Sequence, residues 1–462
     1  MAEVMEEIVE EEVKQLLLDK QYTRLRQKVA ELNNADIADV LQELENEDKL
    51  KLFRFLPKGI AADVFAYLDV DDQQYIITSL SDRDATNIIN NLMADDAVDL
   101  LEEMPANIVK KLLANASPDT RRDINHLLRY PESSAGSIMT VEFVDLKETI
   151  TVAEAIERIR KVGVDSETIN ICYVLDNQRM LVGTVALRYL LISSPDALIG
   201  DIMHENVISL HTMMDQEEVA RQFQKYDFTS MPVVDNENRL VGIITVDDVV
   251  DIMQEEATED MEKMAAMSPS EKPYLKTGMI ETWKQRIPWL LILMVSATFT
   301  GMIISGFENA LAACTALTAF IPMLMDTGGN SGAQASVTVI RALALGDVTP
   351  KDVWAVIRKE LRVAALCSGT LAAANFIKIM LVEMLLLKTL PFSAQGFAIS
   401  GVVCLTLFVT VIFAKLIGCT LPILAKAIKL DPAVVASPII TTIVDAVSLI
   451  VYFLFASKIL LI

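Results

Sequence analysis

The second half of the chain constrains the fold most. Between residues 287 and 461 it carries five apolar stretches, at about 287–306, 309–345, 361–387, 396–425 and 433–461, each long enough to cross the ~30 Å hydrocarbon core of a bilayer as an α-helix. A mean hydropathy of +0.37 is too oily for an ordinary soluble protein. One set of flanks holds Lys276, Lys284 and Arg286, then Arg341, Lys351, Arg358, Lys359 and Arg362, then Lys415, Lys426 and Lys429, against only Lys388 and Lys458 on the other. The positive-inside rule then predicts five spans, with the N-terminus in the cytoplasm and the C-terminus outside.

The charge is confined to the other half: residues 1–272 hold 54 Asp and Glu against 26 Lys and Arg, whereas residues 273–462 hold 9 against 14. Such an acidic half repels nucleic acid and anionic lipid and attracts cations, although acidity also serves plain solubility. Met1–Glu12 carries six Glu and no basic residue, which excludes the positive start of a signal peptide. The five cysteines form no C-x-x-C pair and the three histidines stand at no paired spacing. A disulfide frame and a soft-metal site are not expected, which leaves oxygen ligands for any metal.

From Asp39 an apolar pattern recurs every twelve residues: Asp39-Val-Leu-Gln-Glu-Leu, Lys51-Leu-Phe-Arg-Phe-Leu, Asp63-Val-Phe-Ala-Tyr-Leu, Tyr75-Ile-Ile-Thr-Ser-Leu, Asn87-Ile-Ile-Asn-Asn-Leu and Asp99-Leu-Leu-Glu-Glu-Met, fading at Lys111. Its spacing fits one helical face per unit, and Pro57, Pro105 and Pro118 mark breaks. An α-solenoid over roughly residues 25–128 follows. Its polar positions include Asp36, Asp39, Asp63, Asp95, Asp96 and Asp99. Asp95 and Asp99 lie one turn apart, where like charges cost a few tenths of a kcal/mol unless a cation intervenes; caps and solvated faces are the ordinary alternative.

Residues 134–256 contain a duplication. Ser137-Ile-Met-Thr, Thr151-Val-Ala-Glu-Ala-Ile, Tyr173-Val-Leu-Asp and Leu181-Val-Gly-Thr-Val answer to Asp201-Ile-Met-His, Asp215-Gln-Glu-Glu-Val-Ala, Pro232-Val-Val-Asp and Leu240-Val-Gly-Ile-Ile. Each copy reads as an amphipathic helix, two β-branched runs and a further helix, and the pair resembles tandem CBS domains, which often bind adenine nucleotides. The Ser/Thr-x-x-Asp that such domains use for phosphate and ribose is present as Thr245 and Asp248 but replaced by Ala186 and Tyr189 in the first copy, so strong nucleotide binding is not expected. The second copy is instead rich in acids, at Asp215, Glu217, Glu218, Asp227, Asp247, Asp248 and Asp251. Beyond it Glu255, Glu259 and Glu262 share one helical stripe and Glu256 and Asp260 the next, either as a solvated helix or as a cation-bridged gate.

Two apolar stretches hold groups that hydrocarbon does not tolerate. In the second, Asp326, Gly328, Gly329, Asn330, Gly332 and Gln334 interrupt the run, and adjacent glycines are expected to break the helix and free carbonyls toward a cavity; Asn330, Gln334 and Thr338 share one face. In the fifth, Thr441, Asp445 and Ser448 share a stripe after Asp431 and Pro438. A charged Asp at mid-span costs at least ~2.5–3.5 kcal/mol on insertion scales, so Asp445 must face a cavity, a partner or an ion. Lys378 and Glu383 in the third stretch read as a peripheral pair.

Over nearly its whole length, and most specifically at Pro322 to Gln334 and at Asp431, Pro438, Thr441, Thr442 and Asp445, the chain resembles the MgtE family of magnesium channels and transporters. The resemblance implies a multi-domain membrane protein: an all-α superhelical N domain (1–130), two α/β CBS domains (131–200 and 201–254), a plug helix (255–280) and five transmembrane helices (281–462). It implies a homodimer in the cytoplasmic membrane, with a pore between second and fifth helices where Asp445 of both subunits binds hydrated Mg2+. Asn330, Gln334, Pro438, Thr441 and Thr442 would line that pore. It further implies that cytosolic Mg2+ closes the pore by bridging Asp63, Asp95, Asp99, Asp215, Glu217, Asp227, Asp248, Asp251, Glu256, Glu259, Asp260 and Asp431. The competing readings are transport of Co2+ or another divalent ion, a membrane Mg2+ sensor that does not conduct, and an intramembrane aspartyl protease using Asp326 and Asp445. The last lacks the Gly-x-Gly-Asp motif expected of it.

Overall fold

A helix of six to ten residues is too short to hold itself together in water, so the twelve-residue units must gain their stability by stacking. The computed structural model describes residues 11–270, 274–275, 277–435 and 437–460; the Glu-rich first ten residues and Lys276 lie outside them. Among the described residues nine short helices run from Tyr22–Val29 to Pro118–Leu127. Their starts at Tyr22, Asn34, Asn46, Val70, Asp82, Ala94, Ala106 and Pro118 keep the twelve-residue step, and the remaining helix begins at Ala61. The period thus extends before and after the span legible in the apolar pattern. Successive stacking joins each helix to the one two places on, burying Ile37, Leu41, Leu52, Phe65, Ile76, Ile89 and Leu100; each such side chain contributes about 1.5–3 kcal/mol. Pro105 and Ser117 sit at N-caps, and the Ser117 hydroxyl accepts from the Thr120 N–H at 3.1 Å. A buried ion pair, Lys49 with Asp72, crosses between units.

The duplicated region forms two three-stranded sheets of one topology: β1 (Phe143–Lys147), β2 (Thr168–Leu175) and β3 (Leu181–Ala186), then β4 (Leu210–His211), β5 (Ser230–Val234) and β6 (Leu240–Thr245). In each, the first strand pairs parallel with the second and the second antiparallel with the third. The two modules share a core of Tyr173, Leu175, Leu181, Val234, Leu240 and Ile243, and the Tyr173 hydroxyl meets that of Ser230 at 3.0 Å. The solenoid and the second module share one apolar cluster, which reaches from Leu25 to Phe223 and Val249. A 19-residue helix, Val246–Met264, leaves the second module without interruption, as its acidic stripes require. The boundary between the two compact units of the chain falls within it, after Met253.

Among the described residues the second unit contains five long helices: Met279–Gly306, Ile321–Ala344, Val353–Lys378 continued by a π-helical stretch Ile379–Leu386, Ala394–Ala427 and Ser437–Leu460. By length and hydropathy four of them are able to span a membrane; Ile321–Ala344 is not among these four. At 24 residues it is about 36 Å long, but Asp326, Asn330, Gln334, Arg341 and three glycines dilute its apolar content. It is also not broken. Gly328, Gly329 and Gly332 lie within continuous helix, and their missing side chains make room instead for Thr410, Thr441 and Ile440 of the neighbouring helices. At Gly418 an added Cβ would stand 2.2 Å from the Gly332 carbonyl oxygen. Small residues that let backbones approach are the usual seam of a membrane bundle; the glycines serve helix packing.

Candidate functional site

Carboxylates without a basic partner stand in both units, as a crowd in the first and as Asp445 with one acidic neighbour in the second. In the first unit, Asp95 and Asp96 open the helix Ala94–Glu102, where acids favour the N-terminal dipole. Across from them stand Glu142 at the entry to β1, Glu167 at the entry to β2, and Asp247 and Asp248 at the start of the helix after β6. The Ala94 N–H points at Glu142 at 3.4 Å, and Glu142 also takes the Thr140 hydroxyl at 2.5 Å and the Val141 N–H at 3.1 Å. Asp248 accepts from the Thr245 hydroxyl at 2.7 Å.

Burial and mutual repulsion make these weak acids. Burial, then Asp96 and Asp248, push Asp95 well above the usual carboxylate range. Burial, then Asp248, Glu142, Asp63 and Asp247, raise Asp96 to about 6. Burial, followed by Asp248, Asp247, Asp96 and Glu142, raises Glu167 to about 7, and burial raises Asp248 despite its bond from Thr245. The charges acting on the group are thus other carboxylates, the condition a divalent cation relieves.

Of this group, Asp63, Asp95 and Asp248 are among the ligands expected from the sequence, Asp96 and Asp247 are named there only as acids, and Glu142 and Glu167 are not named. Their only signal was a position just ahead of a β-branched run in the first copy, the copy that looked poor in acids. The charges acting most strongly on Asp95 are Asp96 and Asp248, whereas Asp99, the expected i+4 partner, is exposed. Other expected ligands have structural partners. Asp215 caps its helix by accepting from the Glu217 N–H at 3.0 Å, and Glu217 pairs with Arg221 at 3.0 Å. Asp227 is a left-handed C-cap at φ 52°; Asp251 is exposed, and Glu256 and Asp260 are half-buried on the connecting helix. In the second unit Lys263 pairs with both Glu259 and Asp431, at 2.6 and 2.7 Å. No three His, Cys, Asp or Glu among the described residues are arranged as a direct metal cage.

In the helical unit Asp445 is half-buried on the fifth long helix, and its Oδ1 is buried with no hydrogen-bond partner. Asp326 is the charged group that acts on it. Thr441 packs against Gly329. The Thr442 hydroxyl donates to the Pro438 carbonyl at 3.0 Å and meets Ser296 at 3.4 Å. Ser448 does not extend the stripe: it is fully buried and donates to the Val444 carbonyl at 2.6 Å. Asp326, Asn330, Gln334 and Thr338 form an exposed face of the second helix, with Asn330 donating to Asp326 at 3.1 Å. The first three line a groove of about 510 Å³ together with Thr370 and Lys415. Lys415, counted above with the inner flank, is instead 5% exposed and well inside its helix. Lys378 and Glu383 do pair, at 3.2 Å.

Between the two modules lies a cleft of about 960 Å³, lined among others by Asn170, Tyr173, Arg188, Tyr189, Asp227 and Thr229. Ala186 is in its wall, whereas Thr245 and Asp248 are not among its lining residues.

Family profiles match along the chain: the MgtE intracellular N domain at residues 32–133, a CBS domain at 199–255 and the MgtE divalent cation transporter domain at 321–455. The magnesium transporter MgtE of Thermus thermophilus is 36% identical over 97% of this chain and 98% of its own length; that of Bacillus subtilis is 33% identical over 95% and 94%. The soluble part of a magnesium transporter superposes with a TM-score of 0.52 at 32% identity, covering 55% of this chain and 99% of that structure. The cytosolic domain of the Mg2+ channel MgtE in complex with ATP gives 0.49 at 37% identity, covering 52% of this chain and 98% of that structure. With an N domain, the second CBS module and the helical unit all matched, and with full-length relatives above 30% identity, the chain belongs to the MgtE family of magnesium transporters, multi-pass proteins of the membrane.

Proposed function

We propose that the protein is a homodimeric channel for Mg2+ whose pore runs beside Asp445 and is closed by Mg2+ binding on the cytosolic side. The observation that carries the reading is the Asp445 carboxylate, held in a membrane-length helix with one oxygen buried and unpartnered. A cation is the compensation that a charge at that depth needs. Mg2+ sheds water reluctantly and is often held through its hydration shell, so two Asp445 groups facing across a dimer axis require no close cage. Asn330, Gln334, Thr441 and the second lone pair of the Pro438 carbonyl would take hydrogen bonds from its waters.

Gating would rest on the crowded acids. Mg2+ bound among Asp95, Asp96, Glu142, Glu167 and Asp248, with Asp63 at the edge, replaces repulsion by attraction between the solenoid and the CBS modules. The compact state is then the one that binds Mg2+ more tightly, as a population shift demands. Loss of Mg2+ releases the connecting helix and opens the path. The N-terminus lies in the cytoplasm and the C-terminus outside in this reading, as the flanking charges favour. Liposome flux with purified protein tests it. Uptake of Mg2+ that Asp445→Asn eliminates supports the channel, and undiminished uptake by a folded Asp445→Asn protein removes it; no uptake by wild type leaves the sensor that does not conduct. For the cleft between the CBS modules, ATP binding is weak at most, since Ala186 and Tyr189 replace the hydroxyl and carboxylate of the motif; a micromolar Kd by calorimetry overturns that.

A further inference from the structure

Glu259 and Asp431 both belong to the set of acids expected above to bind Mg2+, and the structure places a positive charge between them. Lys263 Nζ lies 2.6 Å from Glu259 Oε1 and 2.7 Å from Asp431 Oδ2. The other Asp431 oxygen accepts from the Ala433 N–H at 2.8 Å. The Lys263 side chain is half-buried, 21% exposed. Its own helix positions it: Glu259 and Lys263 are an i,i+4 pair in the favourable order. The pair therefore presents Lys263 to Asp431 already oriented, and little side-chain freedom is lost in reaching it.

A divalent cation cannot enter this contact beside the ammonium. It would have to displace a tethered charge that remains close by and repels it, and repulsion grows with the charge of the incoming ion. We infer that Lys263 is the affinity-determining residue of the Glu259–Asp431 contact, standing in the place of the divalent ion and competing with it. The contact is then made without Mg2+ and answers to Mg2+ only at raised concentration. The effect on conduction rests on the gating reading above; the competition itself does not.

The test uses the full-length protein in detergent, with Mn2+ as a paramagnetic probe whose free fraction is read by electron paramagnetic resonance. Lys263→Met should bind Mn2+ about fivefold more tightly at one site per chain, the scale of a partly exposed ion pair. Adding Asp431→Asn should cancel the gain, and Lys263→Arg, which keeps a cation in place, should behave as wild type. If Lys263→Met folds poorly, Lys263→Gln replaces it. Unchanged Mn2+ binding, or a gain that survives Asp431→Asn, overturns the inference. In liposomes Lys263→Met should shift closure to lower internal Mg2+; a shift to higher Mg2+ would make the lysine a mere clamp and also overturn it. Wild-type flux indifferent to internal Mg2+ would instead sink the gating reading, and the Mn2+ titration would still decide the competition.

Discussion

The first unit and the helical unit both carry carboxylates without a matching base, but they reach that state by opposite routes. In the first unit several acids from separate elements crowd one another, and each is a weak acid. In the helical unit one carboxylate, Asp445, stands among packed helices with a single acidic neighbour acting on it. A group shared among many ligands suits a graded response to concentration. A solitary charge in a rigid frame suits a step that every passing ion must take.

The largest expected effect breaks the helical side of that contrast. Asp445→Asn should lower Mg2+ flux by about two orders of magnitude, the factor corresponding to the ~2.5–3.5 kcal/mol of a mid-span charge. Asp96→Asn alone should leave the flux through the open protein unchanged. Radiotracer or fluorescent-dye uptake into liposomes reads both. The rigid frame itself is tested next. Gly418→Ala forces a methyl group against the Gly332 carbonyl oxygen and should destabilise the detergent-solubilised protein by about 1–3 kcal/mol, the usual scale of overpacking; thermal melting measures it, and an unaltered midpoint would mean that the seam is soft.

On the cytosolic side, Asp95→Ala with Asp248→Ala, or deletion of residues 1–130, should move the Mg2+ concentration that closes the pore upward by about tenfold or more, the equivalent of ~1.4 kcal/mol. Patch recordings with cytosolic Mg2+ titrated to ~10 mM, beyond the weak end of sensor-site affinities, would show it. Identical closing curves would reduce the acids to a solvated surface. The smallest effect is in pH. Asp96 and Glu167 have folded-state values of about 6 and about 7, above those of unfolded carboxylates near 4. Their contribution to stability is therefore fully present below about pH 4 and is lost as the pH rises through 6 to 7. Without Mg2+ the first unit should melt higher at pH 5 than at pH 8. Mg2+ binding at pH 6.5 should release up to about one proton per chain, and almost none at pH 8.5; calorimetry in buffers of different ionisation enthalpy checks this.

Local periodicity made the solenoid and the paired modules readable, because a twelve-residue step and a duplicated strand pattern survive in one dimension. Four of the long helices are readable for the same reason, apolar length being a local property, whereas Ile321–Ala344 is too polar to meet that criterion. What failed was whatever depends on a neighbour. The glycines of the second long helix suggest a break, because the sequence does not show Thr410, Thr441 and Ile440 pressed against them. Lys415 passed for an inner flank because its burial is a tertiary fact. Glu142 and Glu167 went unnoticed because only the fold brings β1 and β2 to the end of a solenoid helix, and Asp431 looked like a metal ligand until Lys263 was seen beside it.

The close approach of Gly332 and Gly418 has a consequence for how such a chain can change over generations. Where a carbonyl oxygen occupies the volume of a missing methyl group, no residue other than glycine fits without moving one backbone, and a one-residue insertion ahead of either position would rotate the seam by about 100° out of register. Drift in these two helices is therefore confined to their other faces. Length variation has to be absorbed in the loops, and a library of random variants should recover function at position 418 only where glycine persists, whereas alanine at 332 would need Ile440 to yield by only a few tenths of an ångström.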